Sequence, residues 1–410
     1  MKQFACRFCG TSLHDTVVDL GMSPLCESYV SEERRDAMEP FYPLHVWVCR
    51  SCFLVQLFVD VTAEHIFEEY AYFSSFSSSW LKHAEDYVTS ITERLGLGAD
   101  SHVIELASND GYLLQYFVKR GIPCLGIEPA INVAKAATDK GVPTDVRFFN
   151  EETARSLAAA GKKSDLVLGN NVLAQIPDLN GFVGAIPLVL KPQGTVTIEF
   201  PHLQKLFDEN QFDTIYHEHF CYFSLISVEA IFAKHGLTIF DVEELWTHGG
   251  SLRIFARHSA DASRPTTERF KALKQRELDA GYQNIDTYTA FEHKARATKH
   301  KLLKLLIELK EQGKTVAGYG APGKGNTLLN YCGIRTDLIA FTVDKNPYKQ
   351  GKYLPGTHIP IFAPEKIDQE KPDYIVIMPW NFKDEIIAQL AHARSWGAKF
   401  IIAIPEATVL

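Results

Sequence analysis

No run in the 410 residues approaches the roughly 20 apolar residues that cross a bilayer. The opening residues, Met1-Lys2-Gln3-Phe4-Ala5-Cys6, lack the apolar core of a secretory signal. A membrane protein and an exported one are therefore not expected, and a cytoplasmic location is. Positive charge is also in deficit: 42 Lys+Arg stand against 50 Asp+Glu, a formal charge of -8. Nucleic-acid binders normally present a basic face, so that class is set aside. Cysteine is sparse over most of the chain, yet five of the eight fall within the first 52 residues. Cytosolic thiols stay reduced, so disulfides do not account for that clustering.

Four of the five form two matching knuckles, Cys6-x-x-Cys9 and Cys49-x-x-Cys52. Tetrahedral zinc takes four soft thiolates, and each CxxC turn supplies two from one tight loop. Four unrelated thiols would leave the paired spacing unexplained. A closed set of four leaves no open position, so a structural zinc is expected to fold a module over residues 1–70. The gap between the knuckles implies a projecting loop, which contains Cys26. Cys124, Cys221 and Cys332 read as ordinary buried thiols.

A serine- and aromatic-rich stretch, Tyr70-Ala71-Tyr72-Phe73-Ser74-Ser75-Phe76-Ser77, follows. Its composition suits a linker and the wall of a site equally well. A helix is expected from about Ser79 to Leu95, and then strands alternate with helices, the pattern of a parallel sheet covered on both faces. That rhythm occupies residues 71–262. From about Arg264 to Gly313 charged residues dominate a long helical stretch, read as a solvated helix face. The α/β rhythm restarts at Thr315, so residues 263–410 form a further unit. In both units a glycine turn, an acid-ended strand and an Asp-led hydrophobic strand follow one another. The fold class is α/β, an N-terminal zinc-binding module followed by two Rossmann-like doubly wound domains.

The first glycine turn, after the strand His102-Val103-Ile104-Glu105-Leu106, reads Glu105-x5-Gly111. It resembles the first motif of class I methyltransferases, with Glu105 orienting the turn and the methionine amine. Glu128 ends the next strand, where an acid accepts hydrogen bonds from ribose hydroxyls. NAD favours G-x-G-x-x-G for its pyrophosphate, and this turn has a single glycine, so S-adenosylmethionine is the expected cofactor. The later run Gly318-x-Gly320-x-x-Gly323-Lys324-Gly325 resembles a phosphate-cradling turn at a helix start. A decayed cofactor site is the other reading, and the diphosphate of a nucleotide-linked substrate is the more economical ligand. Between the two lies Tyr216-His217-Glu218-His219-Phe220-Cys221-Tyr222, a concentration of groups able to move protons.

Taken in order, zinc ribbon, single-glycine cofactor turn, Tyr-His-Glu-His motif and Gly-x-Gly-Ala-x-x-Lys-Gly lobe resemble the sugar C-3′-methyltransferases over essentially the full chain. These act on dTDP-linked 4-keto-deoxysugars. The resemblance implies a monomer with the nucleotide-sugar held between the lobes. It implies His219 as the base, with Glu218, Tyr216 and Tyr70 at the reacting centre. It also implies Asn170 beside Glu105, Gly111 and Glu128 at the cofactor, and Asn171, Gln175, Lys324 and Gly320 at the substrate. The family often carries histidine where this chain has Gln175, and an amide donates hydrogen bonds but shuttles no proton. Sugar O- or N-methylation and a binding-only relative are the rival readings.

Overall fold

The structure is a computed structural model that describes residues 4–58 and 74–410. Tyr70, and with it the expected 70/71 boundary, lies outside the described residues. The N-terminal module begins with β1 (Asp15–Ser23), β2 (Tyr42–Val48) and β3 (Val55–Leu57), an antiparallel meander. Leu44, Val46 and Val48 alternate inward along β2, the period-two signature of a sheet covered on one face.

The helix Ser78–Leu95 leads into the middle lobe. It starts where the Ser77 side chain accepts from the Trp80 amide and stops at Gly96, φ 63°. Trp80, His83, Ala84, Tyr87, Val88 and Ile91 line its buried face at helical spacing. There follow β4 (Val103–Leu106), β5 (Cys124–Ile127), β6 (Thr144–Asp145), β7 (Ser164–Asn170) and β8 (Leu190–Pro201), all parallel. Every residue of β4 and β5 is buried, as expected of strands covered on both faces.

The chain then returns to the ribbon. β9 (Cys221–Tyr222) pairs antiparallel with β3, setting Val55 opposite Tyr222 and Gln56 opposite Cys221. Back in the middle lobe, β10 (Leu237–Leu245) and β11 (Ser251–His258) complete a seven-stranded sheet of order β10-β11-β8-β7-β4-β5-β6. β11 is inserted antiparallel between β8 and β10.

The C-terminal lobe holds β12 (Val316–Tyr319), β13 (Thr342–Val343), β14 (Ile361–Phe362), β15 (Tyr374–Ile377), β16 (Lys399–Ile402) and β17 (Thr408–Val409). Their order is β14-β13-β12-β15-β16-β17, parallel except for the last strand. The echo between the lobes extends to single hydrogen bonds. Asn109 N–H donates to Glu128 Oε2 at 2.9 Å, and Ala321 N–H donates to Asp344 Oδ2 at 2.7 Å. In each lobe the acid after the second strand stitches down the turn after the first.

The charged stretch 264–313 departs from a single solvated helix. It divides into Glu268–Asp279, Ile285–Thr289 and Phe291–Glu311, with the chain turning at Gly281, φ 81°. Glu277 on the first of these is fully buried. Its carboxylate accepts from Leu225 N–H at 2.7 Å and Ile226 N–H at 2.9 Å, and meets His202 Nε2 at 2.7 Å. Those amides open the helix Leu225–Lys234 and have no partner within it. Charge patterning cannot reveal which side chain will meet a helix end, so the sequence conceals this clamp. Glu277→Ala leaves two amides and a histidine without their acceptor. It should cost about 3 kcal/mol of stability in urea unfolding, and a loss under about 1 kcal/mol would show that the clamp is dispensable.

Candidate active site

The four knuckle cysteines converge. Their sulfurs all lie within 4.8 Å of one another, with Cys6 3.6 Å from Cys52 and Cys9 3.4 Å from Cys49. A tetrahedron of Zn–S bonds about 2.3 Å long has edges near 3.8 Å, so the donor set fits zinc. The loop between the knuckles does project, and it lands on the C-terminal lobe. Val30 bridges to Tyr353, and the Tyr29 hydroxyl donates to the Ala321 carbonyl at 2.7 Å.

At the ends of β4, β5 and β7 the structure gathers Glu105, Gly111, Glu128 and Asn170. Gly111 has φ 74°, and a side-chain carbon there would fall 2.9 Å from Val142 Cγ2. The glycine is thus required by its left-handed backbone and by the helix behind it. Glu128 is engaged by Asn109 and Ala130 amides, both at 2.9 Å, and burial raises its pKa. Asp110 Oδ1, Asn170 Nδ2 and Asn171 Oδ1 are buried without a partner at hydrogen-bonding geometry, and the buried Glu105 carboxylate has only the Tyr112 side chain facing it, outside that geometry. Burial, then Glu128 and then Asp110, push the Glu105 carboxyl well above its usual range. Buried polar atoms without partners call for a ligand. Acceptors crowded with negative charge suit a cationic one, and S-adenosylmethionine carries an ammonium, a sulfonium and ribose hydroxyls. Ser74 and Ser75 amides close over this turn, bonding Asn109 Oδ1 at 3.0 Å and Asp110 Oδ2 at 3.4 Å.

His219 and Tyr216 are brought together, ring centres 4.1 Å apart. His219 Nδ1 lies 3.1 Å from the Thr214 carbonyl. A carbonyl only accepts, so Nδ1 carries the proton and Nε2 the lone pair. Burial first, then the neighbouring His248 imidazole and the Lys324 charge, lower the His219 pKa to about 4. The imidazole is therefore neutral near pH 7. Glu218 turns elsewhere, toward the ribbon loop, where Cys26 Sγ is 3.7 Å from its Oε1. Burial and the Glu27 carboxylate raise its pKa to about 8. His217 is buried with its ring edge-on to Tyr42, 5.9 Å between centres, on the ribbon side.

The C-terminal lobe reaches the same centre. Lys324 Nζ donates to Asn381 Oδ1 at 2.7 Å and lies 4.6 Å above the Trp380 ring. Trp380 donates its indole N–H to Asp213 at 2.7 Å. Gly320 is less available: its amide bonds Val343 at 2.7 Å, and its carbonyl accepts from the Thr342 hydroxyl at 2.8 Å. Both groups are spent within their own lobe. Asn171, φ 56°, places its Nδ2 3.4 Å from the His248 ring. Gln175 is half-buried in the turn Leu173–Gln175.

His248, Asp213, Trp380 and Asn381 were not singled out from the sequence. The available signal for His248 was the run Thr247-His248-Gly249-Gly250, a histidine ahead of paired glycines between two strands. The other three are single residues on short turns, joined only by the fold.

Three family models match the chain in order. They describe a zinc binding domain over residues 6–67, a methyltransferase domain over 80–242 and a C-methyltransferase C-terminal domain over 246–405. The C-methyltransferase NovU of Streptomyces niveus is 36% identical over 405 residues, 99% of this chain and 96% of its own length. A ubiquinone biosynthesis O-methyltransferase of Bartonella bacilliformis is 32% identical over 100 residues, 23% of this chain and 39% of its own. A solved S-adenosylmethionine-dependent methyltransferase from Clostridium acetobutylicum, 13% identical, covers 44% of this chain and 92% of that one at a TM-score of 0.36. The likeness to NovU runs through ribbon, middle lobe and C-terminal lobe alike, and on it the chain belongs to the C-methyltransferase family.

Proposed function

We propose that the protein methylates C-3′ of a nucleotide-linked 4-keto-deoxysugar, with His219 as the base. The observation that carries this reading is the fixed tautomer of His219. Its Nδ1 proton is committed to Thr214, and a neutral Nε2 lone pair remains beside Tyr216. Such a group can take a carbon-bound proton made acidic by an adjacent ketone. Tyr216 is assigned to hydrogen-bond near the reacting carbon, and Glu218 to a sugar hydroxyl or amine at the ribbon seam. Tyr70 keeps its assignment near the reacting carbon from the resemblance alone. Asn171 and Gln175 are assigned to the sugar, and Lys324 to the substrate from the other side, with Gly320 shaping the turn behind it. Glu105, Gly111, Glu128 and Asn170 would hold S-adenosylmethionine, which supplies an electrophilic methyl group when bound.

His219→Asn keeps a side-chain amide but loses the lone pair, and should lower turnover by about 10²–10⁴-fold. The reading predicts methyl gain on carbon with loss of the C-3′ hydrogen, and solvent-hydrogen exchange at C-3′ of substrate held without the methyl donor, measured by mass spectrometry in heavy water with dTDP- and GDP-linked 4-keto-deoxysugars. Methyl gain on oxygen or nitrogen without exchange would move the activity to the O- or N-methyl class. Near-normal turnover of His219→Asn would falsify the assignment of the base. In the free enzyme the base is active once deprotonated, so kcat/KM should rise as pH climbs through about 4. A limb near the ordinary histidine value would show that burial does not govern it.

Zinc is assigned a structural role. Because β9 follows the His219 motif directly and pairs with β3, the metal holds more than its own module. Chelation should abolish turnover while leaving S-adenosylmethionine binding by calorimetry intact. Full activity after complete zinc removal, checked by metal analysis, would refute this role.

A further inference from the structure

A carbon acid gives up its proton only as readily as its oxygen can hold the charge. His219 is kept neutral at the expense of basicity, and a weak base needs a strongly stabilised anion. The groups able to supply that stabilisation are gathered about one indole ring. Trp380 carries Lys324 over its face, with Nζ 4.6 Å from the ring centre. Its N–H grips Asp213 at 2.7 Å. The residue after Asp213 is Thr214, whose carbonyl fixes His219. The far edge of the indole lies against Gly249, where a side-chain carbon would fall 2.5 Å from Cη2. That contact holds the loop that carries His248, the residue before Gly249, against the indole, and His248 lies within reach of the Lys324 charge.

His248 is itself held in an unusual state. Its φ is 54°, in the left-handed region, which a histidine adopts at some energetic cost. The preceding residue is anchored, with the Thr247 hydroxyl donating to Glu199 Oε1 at 2.9 Å. Glu199 is fully buried and fixed by Arg253 at 2.7 Å and His83 at 3.0 Å. Trp80 meets the His248 ring edge-on at 5.0 Å. A strained residue clamped this firmly at the rim of a site is a candidate for function. Burial and the Lys324 charge lower its pKa to about 4, so it stands as a neutral donor.

We propose that Lys324 is a catalytic residue, its ammonium receiving the ketone oxygen of the substrate with neutral His248 as a second donor. The inference rests on the reading of His219 as a carbon-proton base. As the C–H bond breaks, the proton passes to His219 Nε2. The C–H electron pair becomes the enolate double bond, and the carbonyl π pair moves onto oxygen between Lys324 and His248. When carbon takes the methyl group, the enolate C=C pair forms the new carbon–carbon bond, and the methyl's bond to its donor breaks with its pair leaving on the donor. The oxygen pair returns to restore the ketone, and His219 gives its proton to solvent. No electrons are gained or lost overall. The arrangement supplies from the C-terminal lobe a charge that Gln175 cannot carry.

The test uses the full-length zinc-loaded protein with S-adenosylmethionine and a keto-sugar that the wild type methylates. Lys324→Met should lower both kcat and C-3′ hydrogen exchange by about 10²–10³-fold, with KM little changed and cofactor affinity intact. His248→Asn should show a smaller loss of the same kind. The wild-type rate should fall as pH rises through about 8, where the Lys324 ammonium loses its proton. Asp213, His219 and His248 face Lys324 and titrate lower, at about 6, 4 and 4. Lys324→Arg stays charged, so it should recover part of the activity and lose that upper limb. A raised KM with unchanged kcat in Lys324→Met would make the residue a diphosphate anchor and overturn the proposal. So would an upper limb that persists in Lys324→Arg, since Glu218 at the seam also titrates near 8. Wild-type methylation on oxygen or nitrogen, with the C-3′ hydrogen retained in the product, would overturn the proposed function itself, a result separable from the variants.

Discussion

The indole of Trp380 is the contact on which the geometry of the centre depends. One ring touches the middle lobe through Asp213 and Gly249 and the C-terminal lobe through Lys324. An aromatic side chain with a single donor suits that position. Its faces and edges pack without directional demands, while its one N–H fixes the orientation. Asp213 is fully buried, and burial lifts its pKa to about 6 while Lys324 and the indole oppose the rise. The lobes therefore share charge as well as surface.

Beneath that centre lies a second constraint, the buried carboxylate of Glu199. Burial alone would raise its pKa, but His83, Arg253 and Thr247 outweigh it and bring the value down to about 2. Arg253 also lies 4.3 Å over the Tyr87 ring, which helps to shield the pair. Buried ion pairs contribute uncertainly to stability because desolvation offsets attraction. Their advantage here is positional. The network joins the helix Ser78–Leu95, β8 and β11 at fixed polar points, so the loop carrying His248 has one place to sit.

Much of this was legible in the sequence wherever the signal was local. The knuckles announce a metal because two matched spacings seldom coincide, and the parallel strands announce themselves by unbroken apolar runs such as Val103–Leu106. The repeated order of glycine turn and acid-ended strand foretold two related lobes, while the bonds by which Glu128 and Asp344 hold corresponding turns emerge only in the fold. Tyr216 and His219 belong to one short motif, with only two residues between them. Periodicity is silent where a contact joins distant segments. Nothing along the chain links His248 to Asn171, or Lys324 to Trp380, and Glu277 looks like any other charge on a polar helix. Even adjacent residues part company: Glu218 faces the ribbon loop while His219 lies against Tyr216 and Thr214, because the chain turns tightly here, the His219 amide bonding the Tyr216 carbonyl at 2.9 Å.

The pairing of β3 with β9 also has a consequence for synthesis. The ribbon leaves the ribosome first and can collect its metal early, since its four thiolates all precede residue 53. Its last strand does not exist until Tyr222 has emerged. Throughout that interval β3 is a bare sheet edge, with the apolar Val55 and Leu57 beside unpaired backbone groups, the kind of edge that recruits strands from other chains. The segment that closes it is the one bearing His219. A nascent chain stalled or cut before that point keeps a metal-stiffened, open-edged sheet, so truncated products should be drawn into aggregates by the module that looks most self-sufficient in the sequence.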